Sequence, residues 1–251
     1  MICIILAAGK NVRLDNGIPK SLSIVNGQTL LERHISIFSK YGVDQFSVVV
    51  GYRGEMITSI LPQLSEKYKV DISSIENPSF ELPNAHSLYA AKNWVLNSGQ
   101  EEFLFVMADH YFEESFVGKY ISTVDLEEKD ILNLAVDQPG THNKYIDLED
   151  VTKVYASDGR IEKIGKGLTE YNYFDTGLFY VRNNVFEILE NNFKGKKESI
   201  SDMVQEIVNI KGSAITDISG FYWNDIDTPT DLTNTKTSLH GVKNTAKVTA
   251  Q

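Results

Sequence analysis

Residues 1–9, MICIILAAG, run apolar without a break and stop at a glycine. A strand with one wet face alternates apolar and polar residues, so an unbroken run asks for a strand buried on both faces. That is the setting of a parallel sheet covered by helices. The segments that follow keep to this plan. TLLERHISIFSKYG reads as a helix, with Thr29 and Glu32 spaced as a capping box and Gly42 as its stop. QFSVVVGY reads as a second buried strand, and GEMITSILPQLSEKY as a helix broken near Pro62. VDISSIENP gives a shorter strand. NAHSLYAAKNWVL gives a helix capped by Asn84, with Leu88, Ala91 and Val95 on one face, and EFLFVMADH a strand ending at Asp109.

This alternation predicts an α/β fold with a doubly wound, mostly parallel, Rossmann-like sheet and right-handed crossovers. Ligands of such sheets bind beyond the carboxyl ends of the strands, where Gly9 and Asp109 would share a crevice. The second half is richer in strands: DILNLAVDQ, VTKVYASDGRIEKIG and YFDTGLFYV, followed by helical NVFEILENNF and SISDMVQEIV. AITDISGFYWNDIDTPTDL is expected to form a hairpin-like pair running into a helix at Thr228 and Pro229. Residues 1–238 read as one domain. Residues 239–251 lack periodicity and are expected to fray.

Charge and cysteine content narrow the function classes. A net charge of −10 argues against general nucleic-acid binding. No apolar run is long enough to span a bilayer, so no membrane insertion is expected. The single cysteine, Cys3, lies in the first apolar run and reads as an inert core residue. A reducing, cytoplasmic setting is the expectation. An acidic chain that binds phosphate must concentrate its cations, which draws attention to Arg13 and Lys20.

The loop after the first strand, LAAGKNVRL followed by PK, fits neither the dinucleotide fingerprint nor the Walker A loop. It resembles the L-A-A-G-x-G-x-R-L…P-K signature of the nucleotidyltransferases that make nucleotide-activated sugars and alcohols. Leu6, Ala7, Ala8, Gly9, Arg13, Leu14, Pro19 and Lys20 match, and Asn11 stands where glycine is usual. Small residues let backbone N–H groups approach phosphate, while Arg13 and Lys20 supply charge. Within that family NAHSLYAAKNWV, MADHYF, KIGKGL, FDTGLFYV and WNDIDTPTDL most resemble the inositol-1-phosphate cytidylyltransferases.

The resemblance implies Mg2+-dependent transfer of CMP from CTP to a phosphorylated polyol, with pyrophosphate released. It implies a nucleotidyltransferase sheet with a smaller β-rich acceptor-binding portion, here in a free-standing form. Arg13 and Lys20 would be catalytic. Leu6, Ala7, Ala8, Gly9, Lys10, Asn84, Ser87 and Asp109 would bind the nucleotide, with Ser87 on the pyrimidine. Asp109 would hold metal with a carboxylate from WNDIDT. Asp225 and Asp227 would share a strand face, and Asp227 is preferred. Acceptor candidates are His110, Lys144, Lys153, Glu162, Lys163, Lys166, Asp175 and Thr176. Strand alternation would put Glu162 with Ile164 and Lys163 with Gly165.

Each assignment has a plainer competitor: a cap for Asn84 or Asp227, a structural hydrogen bond for His110, solvated cations for the lysines. Other functions stay open. They are another phospho-alcohol or sugar-1-phosphate nucleotidyltransferase such as one for phosphocholine, a GT-A glycosyltransferase read from D-I-D, and a non-catalytic nucleotide-binding module. A homodimer is also left open.

Overall fold

The computed structural model describes residues 1–10, 17–140 and 143–248, with side chains to residue 238. Its strands are β1 (Ile2–Ala7), β2 (Ile24–Val25), β3 (Gln28–Thr29), β4 (Gln45–Val50), β5 (Asp71–Glu76), β6 (Glu102–Met107) and β7 (His110–Phe112). They continue with β8 (Leu132–Asp137), β9 (Lys153–Ser157), β10 (Arg160–Gly165), β11 (Tyr173–Arg182), β12 (Ser213–Asp217) and β13 (Trp223–Asp225). The helices are α1 (Leu30–Lys40), α2 (Gly54–Thr58), α3 (Leu61–Tyr68), α4 (Ala85–Ala90) and α5 (Lys92–Ser98). After them come α6 (Glu114–Thr123), α7 (Val185–Lys194), α8 (Ile200–Asn209) and α9 (Pro229–Val248).

β1 lies at the centre of a parallel group in the order β6-β1-β4-β5. All six of its residues are buried. Ile2, Ile4 and Leu6 pack under α4, α5, α7 and α8, while Cys3, Ile5 and Ala7 pack under α1, α2, α3 and α6. Each fully buried Ile or Leu contributes about 1.5–3 kcal/mol relative to exposure. The two-sided core therefore accounts for the unbroken apolar run. Thr29 caps α1 by accepting from the Glu32 N–H at 3.1 Å, and Pro62 sits in the first turn of α3.

The sheet is mostly parallel around β1 and mixed beyond β6. β11 runs antiparallel to β6, β8 pairs with β11, and β12 lies parallel to β8. The expected hairpin between the last two strands is therefore corrected. β12 pairs with β8 from earlier in the chain, and β13 pairs antiparallel with β7. Long-range pairing wins because Trp223 must bury its ring and find an acceptor for its indole N–H, which a local hairpin would not provide. β9 and β10 pair antiparallel with a bulge between Ile161 and Lys163. The simple alternation expected for β10 fails there: Ile161 and Ile164 are buried, and Glu162 and Lys163 are both exposed. α9 runs to Val248, past the point where periodicity stops, since a helix can continue without an apolar stripe.

Candidate active site

Three neighbouring strands end in register, with Ala7 opposite Val50 and Leu6 opposite Met107. The chain turns there at Ala8–Lys10, Gly51 and Ala108–Asp109. Gly51 is required by crowding, because a Cβ would meet the Ala8 carbonyl oxygen at 2.8 Å and Phe80 at 2.5 Å. Gly9 is the opposite case. Among the described residues a Cβ there would meet nothing within 4 Å, so these neighbours leave room for a ligand.

The β7–β13 ladder sets Asp225 opposite His110 and so brings the C-terminal carboxylates to Asp109. Lys20 opens a single 3₁₀ turn after Pro19. Its Nζ is ion-paired with Asp227 and lies 3.4 Å from Asp109 Oδ2. His110 Nδ1 is 3.1 Å from Asp109 Oδ1 and 3.9 Å from Asp225 Oδ1. His34 Nε2 contacts the His110 carbonyl oxygen at 2.9 Å.

Electrostatics separates these carboxylates. Burial pushes Asp109 up, but the His110 hydrogen bond and the Lys20 charge outweigh it and hold the carboxyl well below its ordinary range. Burial lifts Asp225 to about 6, against the opposing pull of His110; the charge of Asp109 adds to the rise. Asp175 is likewise lifted to about 6 by burial. Burial alone would lower His110; Asp225, Asp109 and Asp175 together raise it.

Two cavities meet at this point. The smaller is lined by Leu6, Ala7, Gly9, Lys10, Lys20, Ser21, Ala108 and Asp109. The larger, about 430 Å³, shares Lys20 and Asp109 with it and also takes in His110, Lys166, Asp175, Trp223, Asp225 and Asp227. A metal is tested by the donor set. One ligand atom each from Asp109, His110 and Asp225 lies within 4.8 Å of the others, and the Asp225 Oδ1 atom accepts no hydrogen bond among the described residues. Such carboxylates suit a hard divalent cation. The residues fit.

The structure sorts the sequence candidates. Asp225 and Asp227 do not share a strand face, because β13 ends at Asp225; Asp225 turns to His110 and Asp227 to Lys20. Asn84 does not cap its own helix. Its Oδ1 accepts from the Ile200 N–H at 2.9 Å, at the start of α8, and the residue lines the larger cavity. Ser87 accepts from Asn77 Nδ2 at 3.1 Å and lines neither cavity. Ala8 is buried beside the smaller cavity's strand end, its carbonyl accepting from Tyr52 N–H. Thr176 is fully buried and donates to the Ala135 carbonyl oxygen at 2.8 Å.

Of the acceptor lysines, Lys166 reaches the larger cavity and is paired with Asp150. Lys144 and Lys163 lie over the Tyr145 and Tyr155 rings, and Lys153 donates to the Lys166 carbonyl oxygen at 2.9 Å. With Glu162, these three lie outside the cavity lining. Arg13 and Asn11 lie outside the described residues. Tyr145, Asp147, Asp150 and Trp223 line the cavity without having been singled out from sequence. Trp223 carried a usable signal, as a tryptophan directly before N-D-I-D.

A parallel sheet whose strand ends present a glycine loop, a lysine and paired carboxylates defines a nucleotide-handling transferase. The MobA-like NTP transferase domain matches residues 3–158, and the chain belongs to that family; it is a nucleotidyltransferase. It is 34% identical over 240 residues to the bifunctional IPC transferase and DIPP synthase of Aquifex aeolicus, covering 94% of this chain and 51% of that protein. It is 29% identical over 240 residues to the bifunctional protein GlmU of Methanococcus maripaludis, covering 92% of this chain and 53% of that one. The chain thus spans about half the length of these curated relatives. The solved inositol-1-phosphate CTP transferase of T. maritima superposes with a TM-score of 0.78 at 28% identity, covering 92% of this chain and 90% of that one. Among the described residues no helix is long and apolar enough to cross a membrane.

Proposed function

We propose that the chain transfers CMP from CTP to a phosphorylated polyol of the inositol-1-phosphate class, releasing pyrophosphate. The observation that carries this reading is the wall shared by the two cavities, where Lys20 and Asp109 face both. The triphosphate would lie along the Ala7–Lys10 turn and the acceptor in the larger cavity. An acceptor phosphate oxygen attacks the α-phosphorus, a new P–O bond forms, and the bond to the β-phosphate oxygen breaks. The nucleophile is already ionised at neutral pH, so no general base is needed.

Lys20 would exchange its carboxylate partner for the α-phosphate and stabilise the charge that grows there. Asp109 and Asp225 would hold a divalent cation, with His110 beside them; Mg2+ would supply neutralisation of phosphate charge. Asp175 and the Asp150–Lys166 pair offer acceptors and a donor to a ring bearing several hydroxyls. Such a ring needs convergent polar groups, since each group left unpaired costs about 1–3 kcal/mol. The likeness to the T. maritima enzyme and to the Aquifex aeolicus protein supports this acceptor class.

The likeness to GlmU favours a second reading, transfer to a sugar-1-phosphate. Pyrophosphate release from CTP, UTP and GTP, each with inositol-1-phosphate, phosphocholine and hexose-1-phosphates, tests both. The proposal expects the fastest turnover with CTP and inositol-1-phosphate. A preference for a hexose phosphate would replace it with the second reading.

A further inference from the structure

Asp137 ends β8, and its side chain is fully buried at 0% exposure. Its Oδ2 accepts from the Trp223 indole N–H at 2.9 Å and from the side-chain amide of Asn143. One of these donors, Trp223, lines the larger cavity, and the other, Asn143, stands just before a segment that lines it. Trp223 is a wall residue, and its ring stacks on His110 with planes 10° and centroids 6.1 Å apart. Asn143 begins the segment that brings Tyr145, Asp147 and Asp150 to the cavity. Its carbonyl accepts from the Ile146 N–H at 3.2 Å and closes that segment's first turn.

Asp137 itself does not line the cavity. Packing alone gives no reason for a carboxylate here, since burying a charge is costly unless it is hydrogen-bonded. Hydrogen bonds are directional, and these two tie the rotation of the indole to the start of the 143–150 segment.

We infer that Asp137 is a positioning residue for the acceptor: through one buried oxygen it joins the Trp223–His110 side of the cavity to the 143–150 segment and so sets which ring the cavity takes. This rests on the acceptor reading of the cavity given above.

Two measurements need no substrate. The protein has two tryptophans, so ¹⁵N-labelled indole signals resolve Trp223 from Trp94. Hydrogen exchange of peptides covering 143–152 reads the other side. Asp137→Asn keeps the size of the side chain but turns an amide N–H₂ toward the Trp223 indole or the Asn143 amide. It should move one indole signal, speed exchange over 143–152, and raise the acceptor KM about tenfold, the scale of one lost hydrogen bond to a charged group. The KM for CTP should stay unchanged. Trp223→Phe keeps an aromatic ring and removes the N–H; it should raise the acceptor KM while leaving exchange over 143–152 as it was.

Equal rises in both KM values, or a lowered melting temperature with both KM values unchanged, would overturn the inference. So would an indole signal unmoved by Asp137→Asn. If Asp137→Asn does not fold, the KM split in Trp223→Phe decides. If the wild-type protein ignores inositol-1-phosphate, the substrate reading fails by itself. The KM split is then measured with the acceptor found in the panel, and the indole and exchange results keep their meaning.

Discussion

Lys20 Nζ is ion-paired with Asp227 at the wall between the two cavities, and Asp109 Oδ2 lies 3.4 Å from the same nitrogen. A lysine held this way is aimed before any phosphate arrives, so its charge adds most where negative charge grows. Lys20→Ala should lower kcat by about 10²–10³ and leave nucleotide binding nearly intact, judged by steady-state kinetics beside calorimetric titration of CTP. A change confined to KM would remove Lys20 from the transition state.

The two C-terminal carboxylates should separate by experiment because they face different partners. Asp225→Asn should raise the concentration of divalent cation needed for half-maximal binding, read by Mn2+ titration with electron paramagnetic resonance. Asp227→Asn should leave that titration alone and lower kcat, since it releases Lys20. Interchanged results would put the metal on Asp227. Chelation by EDTA should stop pyrophosphate release by the wild type, and full activity in chelator would exclude the metal.

Gly177 presses on the site from β11. Its φ is +77°, and a Cβ would stand 2.8 Å from the His110 ring. Gly177→Ala therefore combines backbone strain with a clash. It should cost about 1–3 kcal/mol, seen as a drop in Tm of roughly 2–4 °C per kcal/mol in a chain of this size. Activity should fall further than stability, because the displaced imidazole contacts Asp109. Unchanged Tm and activity would mean that β11 shifts freely.

Cys3 is fully buried, and burial pushes its thiol far above the ordinary range. The sign of the pH effect follows. The unfolded chain loses this proton from about pH 8.5 upward while the folded chain keeps it. The stabilising contribution is thus complete below that pH and is lost as pH rises above it. Denaturant midpoints should fall from pH 8 to pH 10, and less steeply in Cys3→Ala. Tyr120, raised by the same cause, should add to the fall at higher pH. A thiol reagent should leave the native protein untouched and label it once unfolded; rapid native labelling would contradict the burial.

Much of the candidate site is legible in the sequence because it is local. The run through β1, the turn at Gly9, Lys20 after Pro19 and Asp109 after β6 each carry their signal within a few residues. What was not legible depends on partners far along the chain. Asp225 and Asp227 part company because β13 stops between them, which depends on pairing with β7. Glu162 and Lys163 share an exposed face because of a bulge against β9, and a bulge leaves no mark in an alternation pattern. Ser87 was matched by position, yet Asn77 holds it away from both cavities. Trp223 and Asp137 lie 86 residues apart in sequence, and no spacing rule connects them.

The β7–β13 ladder also orders the site in time. Residues up to 158, the stretch that carries the family match, hold Lys20, Asp109 and His110 but not Asp175, Trp223, Asp225 or Asp227. During synthesis the phosphate-side half would leave the ribosome well before β13. Until then His110 would lack its ladder partner and Lys20 its carboxylate clamp. On the reading proposed above, competence to transfer would wait for residues 223–227, and a product truncated before Trp223 would hold the phosphate-side cradle without its partner carboxylates.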